Sequence, residues 1–300
     1  MTIVVQLIIS GIAMGFIYAL VGIEFTLISN ACDVVNFAHD KMITFGAYIF
    51  GGTFMIGLQF GFVPAILLSC IAMLLFGFAI SRIIFIPLRN IPEIFTIMAT
   101  ILLGKIAIEL CRLIWTPVPF SVPGFLSGTY RLGGFVISKA NVAIIVVAMI
   151  IVIALQVFLY KTKAGKSMRC VAQNKMAAQI MGIDVKRVIS LSVALSMVIC
   201  GVIGILIVPL QNVATTMSDM IGLKGFAAAV IGGFGFLPGA IVGGLFCGIL
   251  ENICTLFIPA VYKDVISFVL LIGFLLVRPK GLTGRTRCGK HTTGRKEKEE

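Results

Sequence analysis

The sequence is poor in charged residues. Only 12% of its 300 residues are Asp, Glu, Lys or Arg, whereas 59% are hydrophobic. Soluble domains carry about 25% charged residues, so the composition excludes an ordinary soluble domain. Continuously apolar runs near the roughly 20 residues that cross a bilayer recur along the chain, without the alternation typical of β-barrel strands. We therefore predict an all-α, polytopic membrane protein embedded in the lipid bilayer.

The sequence also lacks the motifs of several chemistries. Its eight cysteines are scattered without a CxxC pair, and its only two histidines are His39 and His291. Free cysteine behaves as a small buried hydrophobe, so neither a disulfide framework nor a metal site is indicated. HExxH, GxSxG and paired catalytic carboxylates are missing as well. We predict that the chain is not an enzyme and holds no cofactor or metal.

The positive charge that is present is concentrated in two places. Residues 161–187 carry a net charge of +6 and residues 278–300 a net charge of +5, out of +12 for the chain. Short basic loops that flank apolar spans follow the positive-inside rule, which favours membrane topology over nucleic-acid binding. This places 81–92, 161–187 and the tail in the cytoplasm, with the N-terminus outside. The tail, 281–300, is predicted to be disordered.

About eight or nine transmembrane or re-entrant helices fit within one transmembrane domain of residues 1–280. A long apolar span (3–28), a polar break and a short Gly-rich span (42–58) recur as 188–210, 211–222 and 223–236. The charge bias gives the two long spans opposite directions. Inverted repeats with broken helices are typical of transporters. The alternative is that short Gly-rich runs simply recur in membrane proteins.

The triplet Gly165-Lys166-Ser167 resembles the end of a phosphate-binding loop, but Tyr160 stands where the first glycine of GxxxxGK[ST] belongs. Because the Gly-rich turn is missing, we exclude ATP binding by this chain. The segment instead predicts one short amphipathic helix that ends at Gly182. Its apolar stripe comprises Met168, Val171, Ala172, Met176 and Ile180. Such a helix lies on the membrane surface or enters a groove on a partner.

Several polar residues fall within or beside apolar spans, where charge is costly. Lys105, Glu109 and Arg112 form a plus-minus-plus ladder that favours pairing within one helix over a substrate path. Glu24 lies at an interface or pairs with a distant lysine such as Lys224, and Glu251 is similar.

Asn36 and His39 occupy the first polar break. We expect them to hydrogen-bond backbone exposed where the helix is broken. A metal site or proton relay of His39 with Asp33 and Asp40 is the weaker alternative.

Three glycines late in the chain, Gly235, Gly239 and Gly243, recur every four positions. This spacing predicts close helix packing, either within the subunit or at a subunit interface.

Three motifs in order resemble the permease subunits of bacterial branched-chain amino acid ABC transporters. The first is Asn36-Phe37-Ala38-His39 followed by Gly46-Ala47-Tyr48, with Asp40 in place of the usual glycine. The third is GLKGFAAAVIGGFGFLPGAIVGG from Gly222 to Gly244, with Glu251 after it. The second, the coupling loop of the family, is matched by Gly165, Arg169, Ala172, Asn174, Ala178, Gly182 and Ile183, with Cys170 replacing an alanine.

The resemblance implies a multi-pass permease of the bacterial cytoplasmic membrane that translocates Leu, Ile, Val or related zwitterions. It implies a second similar permease subunit, two ATP-binding subunits that dock on 161–187, and an external substrate-binding protein. As residues of the translocation pathway or broken helices, it points to Asn36, His39, Gly225, Gly232, Gly233 and Glu251. The alternative is an ion-coupled secondary transporter or channel without an ATPase, with Glu24, Lys105 and Glu109 as its relay.

Overall fold

The computed structural model describes residues 2–277 except 90, 116, 133–134, 258 and 260–261, together with residue 281. The tail predicted to be disordered otherwise lies outside the described residues. The helices are α1 (Thr2–Cys32), α2 (His39–Tyr48), α3 (Phe62–Ile80), α4 (Ile86–Leu88), α5 (Glu93–Ile114), α6 (Lys139–Lys161), α7 (Lys163–Gln173), α8 (Lys175–Ile180), α9 (Val185–Ile207), α10 (Asp219–Gly232), α11 (Leu237–Cys254) and α12 (Lys263–Val277). Strands β1 (Thr129–Leu132) and β2 (Phe135–Ser138) form one antiparallel hairpin. Wider π-helical turns extend α2 over Ile49–Gly57 and α3 over Ser81–Phe85.

The structure confirms an all-α polytopic membrane fold. Within the described ranges, 6 helical stretches are long and apolar enough to cross a membrane: Val4–Cys32, Phe62–Leu88, Glu93–Ile114, Lys139–Lys161, Val185–Ile207 and Leu237–Cys254. The other predicted segments correspond to α2, α10 and α12. Large apolar side chains are exposed along α3, α5 and α6, as expected where lipid or another membrane subunit covers the surface. The core lies around α1 and α9.

Small residues bring α1 and α11 into direct backbone contact. A Cβ added at Gly248 would lie 2.3 Å from the backbone N of Gly15, and one added at Gly244 would lie 2.5 Å from that of Ala19. The two helices therefore run antiparallel at a separation that only glycine allows. Gly239 and Gly243 of the predicted Gly-rich face abut the backbone of α10 and so pack within the subunit, whereas Gly235 precedes α11 in a turn with φ of +89°.

The two long spans and the short helices that follow them form an inverted pair. The chain breaks at 33–38 between α1 and α2, and at 208–218 between α9 and α10. Helix α9 is antiparallel to α1, since Ser196 bonds Glu24 while Ile189, nearer the start of α9, lines a cavity with Asp33 just after α1. Helix α2 is parallel to α5, which begins beside that cavity, since a Cβ at Gly104 would lie 3.1 Å from Lys41 and one at Gly52 would lie 2.3 Å from Trp115. Helix α10 is antiparallel to α11 and hence parallel to α1. Helix α9 thus opposes α1 and α10 opposes α2, which matches the inverted-repeat prediction. The first break is shorter than predicted at both ends, whereas the second begins and ends earlier than predicted.

The contacts assign the loops to the two ends of the bundle. Asp33, Arg89, Glu93 and Lys175 line one cavity of about 430 Å³, so 81–92 and the basic loop lie at the same end, as the charge bias predicts. At the other end, Phe120 and Val213 exchange backbone hydrogen bonds of 3.1 and 2.8 Å. The β1–β2 hairpin, also in the connection between α5 and α6, was not predicted, because four-residue strands show little periodicity.

Candidate functional site

The first turns of α2 and α10 meet inside the helix bundle. Lys41 Nζ lies 2.5 Å from an Asp219 carboxylate oxygen and 3.3 Å from one of Asp40. Ser218 Oγ donates to the backbone carbonyl of Asp40 at 2.5 Å and also contacts the Thr44 hydroxyl. We call this group, Asp40, Lys41, Thr44, Ser218 and Asp219, the junction.

The junction lies deep in the membrane region. A Cβ added at Gly104, halfway along α5, would lie 3.1 Å from Lys41 Cγ. Two carboxylates and one ammonium leave a net charge of −1, which the positive ends of two helix dipoles help to stabilise. The side chains of Asp40, Lys41 and Asp219 remain partly exposed. Because exposed charge is costly in lipid, this surface is suited to a water-filled path or to another subunit.

Asn36 and His39 organise the break between α1 and α2. Asn36 Oδ1 accepts from the Ala38 backbone N–H at 3.0 Å, and His39 Nδ1 donates to the Asn36 carbonyl at 3.1 Å. The His39 ring packs on Phe25 with centroids 3.9 Å apart. Its Nε2 faces α10, where a Cβ added at Gly222 would lie 2.8 Å from it. The expectation that both residues satisfy backbone groups at the break is confirmed.

Glu24 lies in the core, and both sequence-based expectations for it are wrong. It is fully buried rather than at an interface, and its Oε1 accepts a hydrogen bond of 2.6 Å from Ser196 of α9. Lys224 is not its partner. The sequence did not identify this contact because Ser196 lies in a different span, and an isolated serine in an apolar run gives no signal.

Lys224 and Glu251 form an ion pair of 2.8 Å, and their side chains are only 7% and 5% exposed. Lys224 Nζ also lies 2.7 Å from Asp264 of α12. Glu251 Oε2 accepts from the hydroxyls of Tyr18, at 3.0 Å, and Ser267, at 3.2 Å. These contacts join α1, α10, α11 and α12 in one polar network, so the prediction that Glu251 has a distant partner is confirmed.

The other pathway candidates on α10 are packing or helix-ending positions. A Cβ on Gly225 would lie 2.2 Å from Val21 of α1, and one on Gly232 would lie 2.0 Å from the carbonyl of Gly239. Gly233 ends α10 with φ of +106°. Part of the predicted plus-minus-plus ladder on α5 forms. Arg112 makes an ion pair of 2.7 Å with Glu109, whereas Lys105 is exposed.

The basic loop forms two helices rather than the single predicted one. Thr162 caps α7 by accepting from Gly165 N at 3.0 Å. Asn174, with extended backbone, ends α7 and caps α8 by accepting from Ala177 N at 3.0 Å. Asn hydrogen-bonds nearby backbone readily, and this capping divides the periodic stripe. Gly182 ends the segment with φ of +80°, as predicted.

The break at Asn174 divides the predicted apolar stripe between two environments. Met168 and Val171 of α7 are buried, and so is Ala178 of α8, whereas Ala172 and Ile183 are half-buried. By contrast, Met176 and Ile180 are 73% and 82% exposed, and Met181 beside them is 81% exposed. We call Met176, Ile180 and Met181 the α8 apolar patch. It projects from the end of the bundle that carries the basic loops.

Gly165 and Arg169 hold the loop on the bundle. A Cβ on Gly165 would lie 2.2 Å from the Phe158 carbonyl, so this glycine lets α7 fold back closely on α6. The Arg169 guanidinium stacks on the Tyr160 ring at 4.3 Å. Arg169 is therefore a residue that positions the loop, through a cation–π contact, and it is less available to a partner than its charge suggested. The GKS triplet itself lies in the first turns of α7.

One ion pair joins the loop to the first break. Lys175 Nζ, at the start of α8, lies 2.8 Å from Asp33 Oδ2. Asp33 follows α1 and has φ of +62°. Six residues further along the chain, α2 begins at His39, next to the junction. The structure thus provides a continuous connection from the α8 apolar patch to the meeting point of the two short helices.

The chain resembles known proteins along nearly its whole length. The family described as "Branched-chain amino acid transport system / permease component" matches residues 7–275. The chain belongs to this family. This permease is 30% identical to the high-affinity branched-chain amino acid transport system permease protein LivH of Escherichia coli (strain K12), over 94% of this chain and 96% of that protein. It is 30% identical to BraD of Pseudomonas aeruginosa, over 95% and 97% of the two chains.

A probable branched-chain amino acid transport permease protein LivH of Methanocaldococcus jannaschii is 27% identical, over 88% of each chain. No solved structure matches this permease. Family membership makes the chain a transport permease component rather than an enzyme.

Sequence reasoning missed Lys41 and Asp219 as partners in this permease. Each lies in the first turn of a short helix after a polar break, and that equivalence between the two halves was the available signal. Lys175 and Asp33 gave no signal, because their contact depends on how the basic loop folds back.

Proposed function

We propose that this permease is one of two membrane-spanning subunits of an ATP-driven importer for branched-chain amino acids in the bacterial cytoplasmic membrane. Two separate subunits bind and hydrolyse ATP, so this chain needs no cofactor of its own. An external binding protein delivers the substrate to the end of the bundle that carries Phe120 and Val213. The second membrane subunit is a similar permease.

The α8 apolar patch carries this proposal. A short helix with three large apolar side chains more than two-thirds exposed, flanked by basic residues, has the form of a helix that enters a groove on another protein. It lies at the end of the bundle that the charge bias places in the cytoplasm, where an ATPase would dock. Membership of a transport-system permease family and the names of its relatives support the substrate class.

The ion pair of Lys175 with Asp33 gives a route by which docking acts on transport. Movement of α8 would shift the segment that leads to the junction, where α2 and α10 begin. ATP binding to the partners selects one permease conformation only if α8 contacts them differently in the two states. An ion-coupled transporter, the second candidate, would leave the α8 apolar patch without a role.

The test is reconstitution of the complete complex. The permease, its partner permease and the ATPases are placed in proteoliposomes, and leucine uptake and ATP hydrolysis are measured with the binding protein present. Ile180→Glu should abolish ATP-driven uptake, because it places a charge in an apolar contact. The control is Gln173→Glu, which adds the same charge at an exposed polar position of α7 and should retain most of the uptake.

Two outcomes would contradict the proposal. Uptake by the permease alone, driven by an ion gradient without ATPases, would support the second candidate. Normal coupling in Ile180→Glu would remove the α8 apolar patch from the docking surface. A further variant, Arg169→Glu, should also reduce coupling, because it removes the stacking on Tyr160 that positions the loop.

A further inference from the structure

A cavity of about 560 Å³ lies between α1, α10, α11 and the break at 208–218. Its floor contains the buried pair Lys224 and Glu251, and Lys263 reaches it from the start of α12. Its opposite wall is apolar, formed by Met14, Ile207, Met217 and Ile221. The junction and the basic loop contribute no lining residue. The cavity is therefore a separate feature of the molecule.

The electrostatics of the cavity select a particular class of ligand. Lys224 and Lys263 carry two positive charges, while Glu251 and Asp264 carry two negative charges, so the group is neutral overall. An ion of either sign would leave net charge within a membrane-embedded site, which is costly. A zwitterion adds none, and it presents one group to the ammoniums and one to the carboxylates.

The apolar wall specifies the remainder of the ligand. Met and Ile side chains favour an aliphatic group of adaptable shape, and the volume lies within the range of about 300–1,000 Å³ typical of small-molecule sites. Gln211, Asn212 and Thr216 are exposed at the rim. They belong to the end of the bundle opposite the basic loop. Ligand released at that end would meet the rim first.

We propose that this cavity is a binding site for a zwitterionic α-amino acid with an aliphatic side chain, held between Lys224, Lys263 and Glu251. The inference rests on the proposed function for its substrate class. Transport specificity then resides partly in the permease, since the cavity accepts an aliphatic side chain and rejects a charged one. Glutamate and lysine would carry net charge into a neutral site and are excluded.

Direct binding tests the site without transport. Labelled leucine is equilibrated with the complete complex in lipid nanodiscs, with the external binding protein omitted, and unlabelled valine, glutamate and lysine compete. We expect valine to displace leucine and the charged amino acids to fail. Met220→Trp, at the cavity wall, should weaken leucine binding by about tenfold, equivalent to one aliphatic contact.

Leu223→Trp is the matched control, because Leu223 lies on the same helix, is 49% exposed against 48% for Met220, and does not line the cavity. It should bind leucine as the parent does. Lys263→Gln should also weaken binding by about tenfold, with recovery in Lys263→Arg. Three results would overturn the site. Met220→Trp could bind leucine as tightly as the parent, or Met220→Trp and Leu223→Trp could lose leucine binding equally. Displacement of leucine by glutamate would be the third.

The outcome is distinguishable from failure of the proposed function. A parent complex that imports leucine with ATP but binds none without the binding protein refutes the cavity site alone. A parent complex that shows no ATP-driven uptake refutes the proposed function, whatever the binding result.

Discussion

Replacement of Lys224 by methionine should destabilise the protein strongly. Methionine matches the length of the lysine stem and removes only the ammonium. Lys224 is the cation that lies within 2.8 Å of both Glu251 and Asp264. Asp264 is 43% exposed and reaches solvent, whereas Glu251 is 5% exposed. The substitution therefore leaves the Glu251 carboxylate buried and uncompensated.

The structure sets the expected magnitude. Breaking a buried ion pair by removing one partner costs about 3–5 kcal/mol. Tyr18 and Ser267 continue to donate hydrogen bonds to Glu251, so we expect a loss near the lower end, about 3 kcal/mol. The double variant Lys224→Met/Glu251→Gln removes the charge that is left unpaired. It should recover about 2 kcal/mol of that loss, a coupling typical of residues in one network.

The assay is equilibrium unfolding in mixed micelles titrated with a denaturing detergent, followed by helical circular dichroism. Arg187→Met is the control, because it breaks an ion pair with Asp184 in which the arginine is 89% exposed. Such pairs are worth about 0–1 kcal/mol. A loss below about 1 kcal/mol in Lys224→Met, or a double variant no more stable than the single one, would refute the reasoning.

Three further changes test other contacts. Charge reversal at either Asp33 or Lys175 should lower ATP-coupled leucine uptake about tenfold, and reversal of both charges together should restore it. Equal defects in the two single variants and the double variant would mean that the ion pair is unimportant. Gly248→Val should destabilise by about 3 kcal/mol or more through overpacking in the unfolding assay. Gly273→Val, whose Cβ would meet nothing within 4 Å, should change stability little. Asn174→Ala should cost about 1 kcal/mol of helix capping, detected as faster amide hydrogen exchange in α8 with α7 unchanged.

The membrane fold followed from the sequence because long apolar runs and basic loops act locally. Three predictions succeeded because they depend on nearby residues. These are the directions of α1 and α9, the placement of 81–92 and 161–187 at the same end of the bundle, and the helix end at Gly182. The break at Asn174 was missed because a capping side chain competes with helical periodicity, and the stripe of Met168 to Ile180 appears continuous unless that competition is considered.

Pairings between distant segments were largely beyond sequence reasoning. Lys224 had several acidic candidates, and only the packing of α10 against α11 and α12 selects Glu251 and Asp264 over Glu24. The cavity above that pair is likewise formed by four separate segments, so no single stretch of the sequence predicts it. The exposed position of Met176 and Ile180 depends on the rotation of α8 after the break.

The junction also bears on how the protein is made. Lys41 is 178 residues earlier in the chain than its partner Asp219. At ribosomal rates of about 5–20 residues per second, the interval between the two is about 10–35 s. During this time the spans between Lys41 and Asp219 enter the bilayer, and Asp40 is the only carboxylate of the junction that Lys41 can contact. The pairing of Lys41 with Asp219 is therefore a late event in assembly, and chains that stop before α10 lack it.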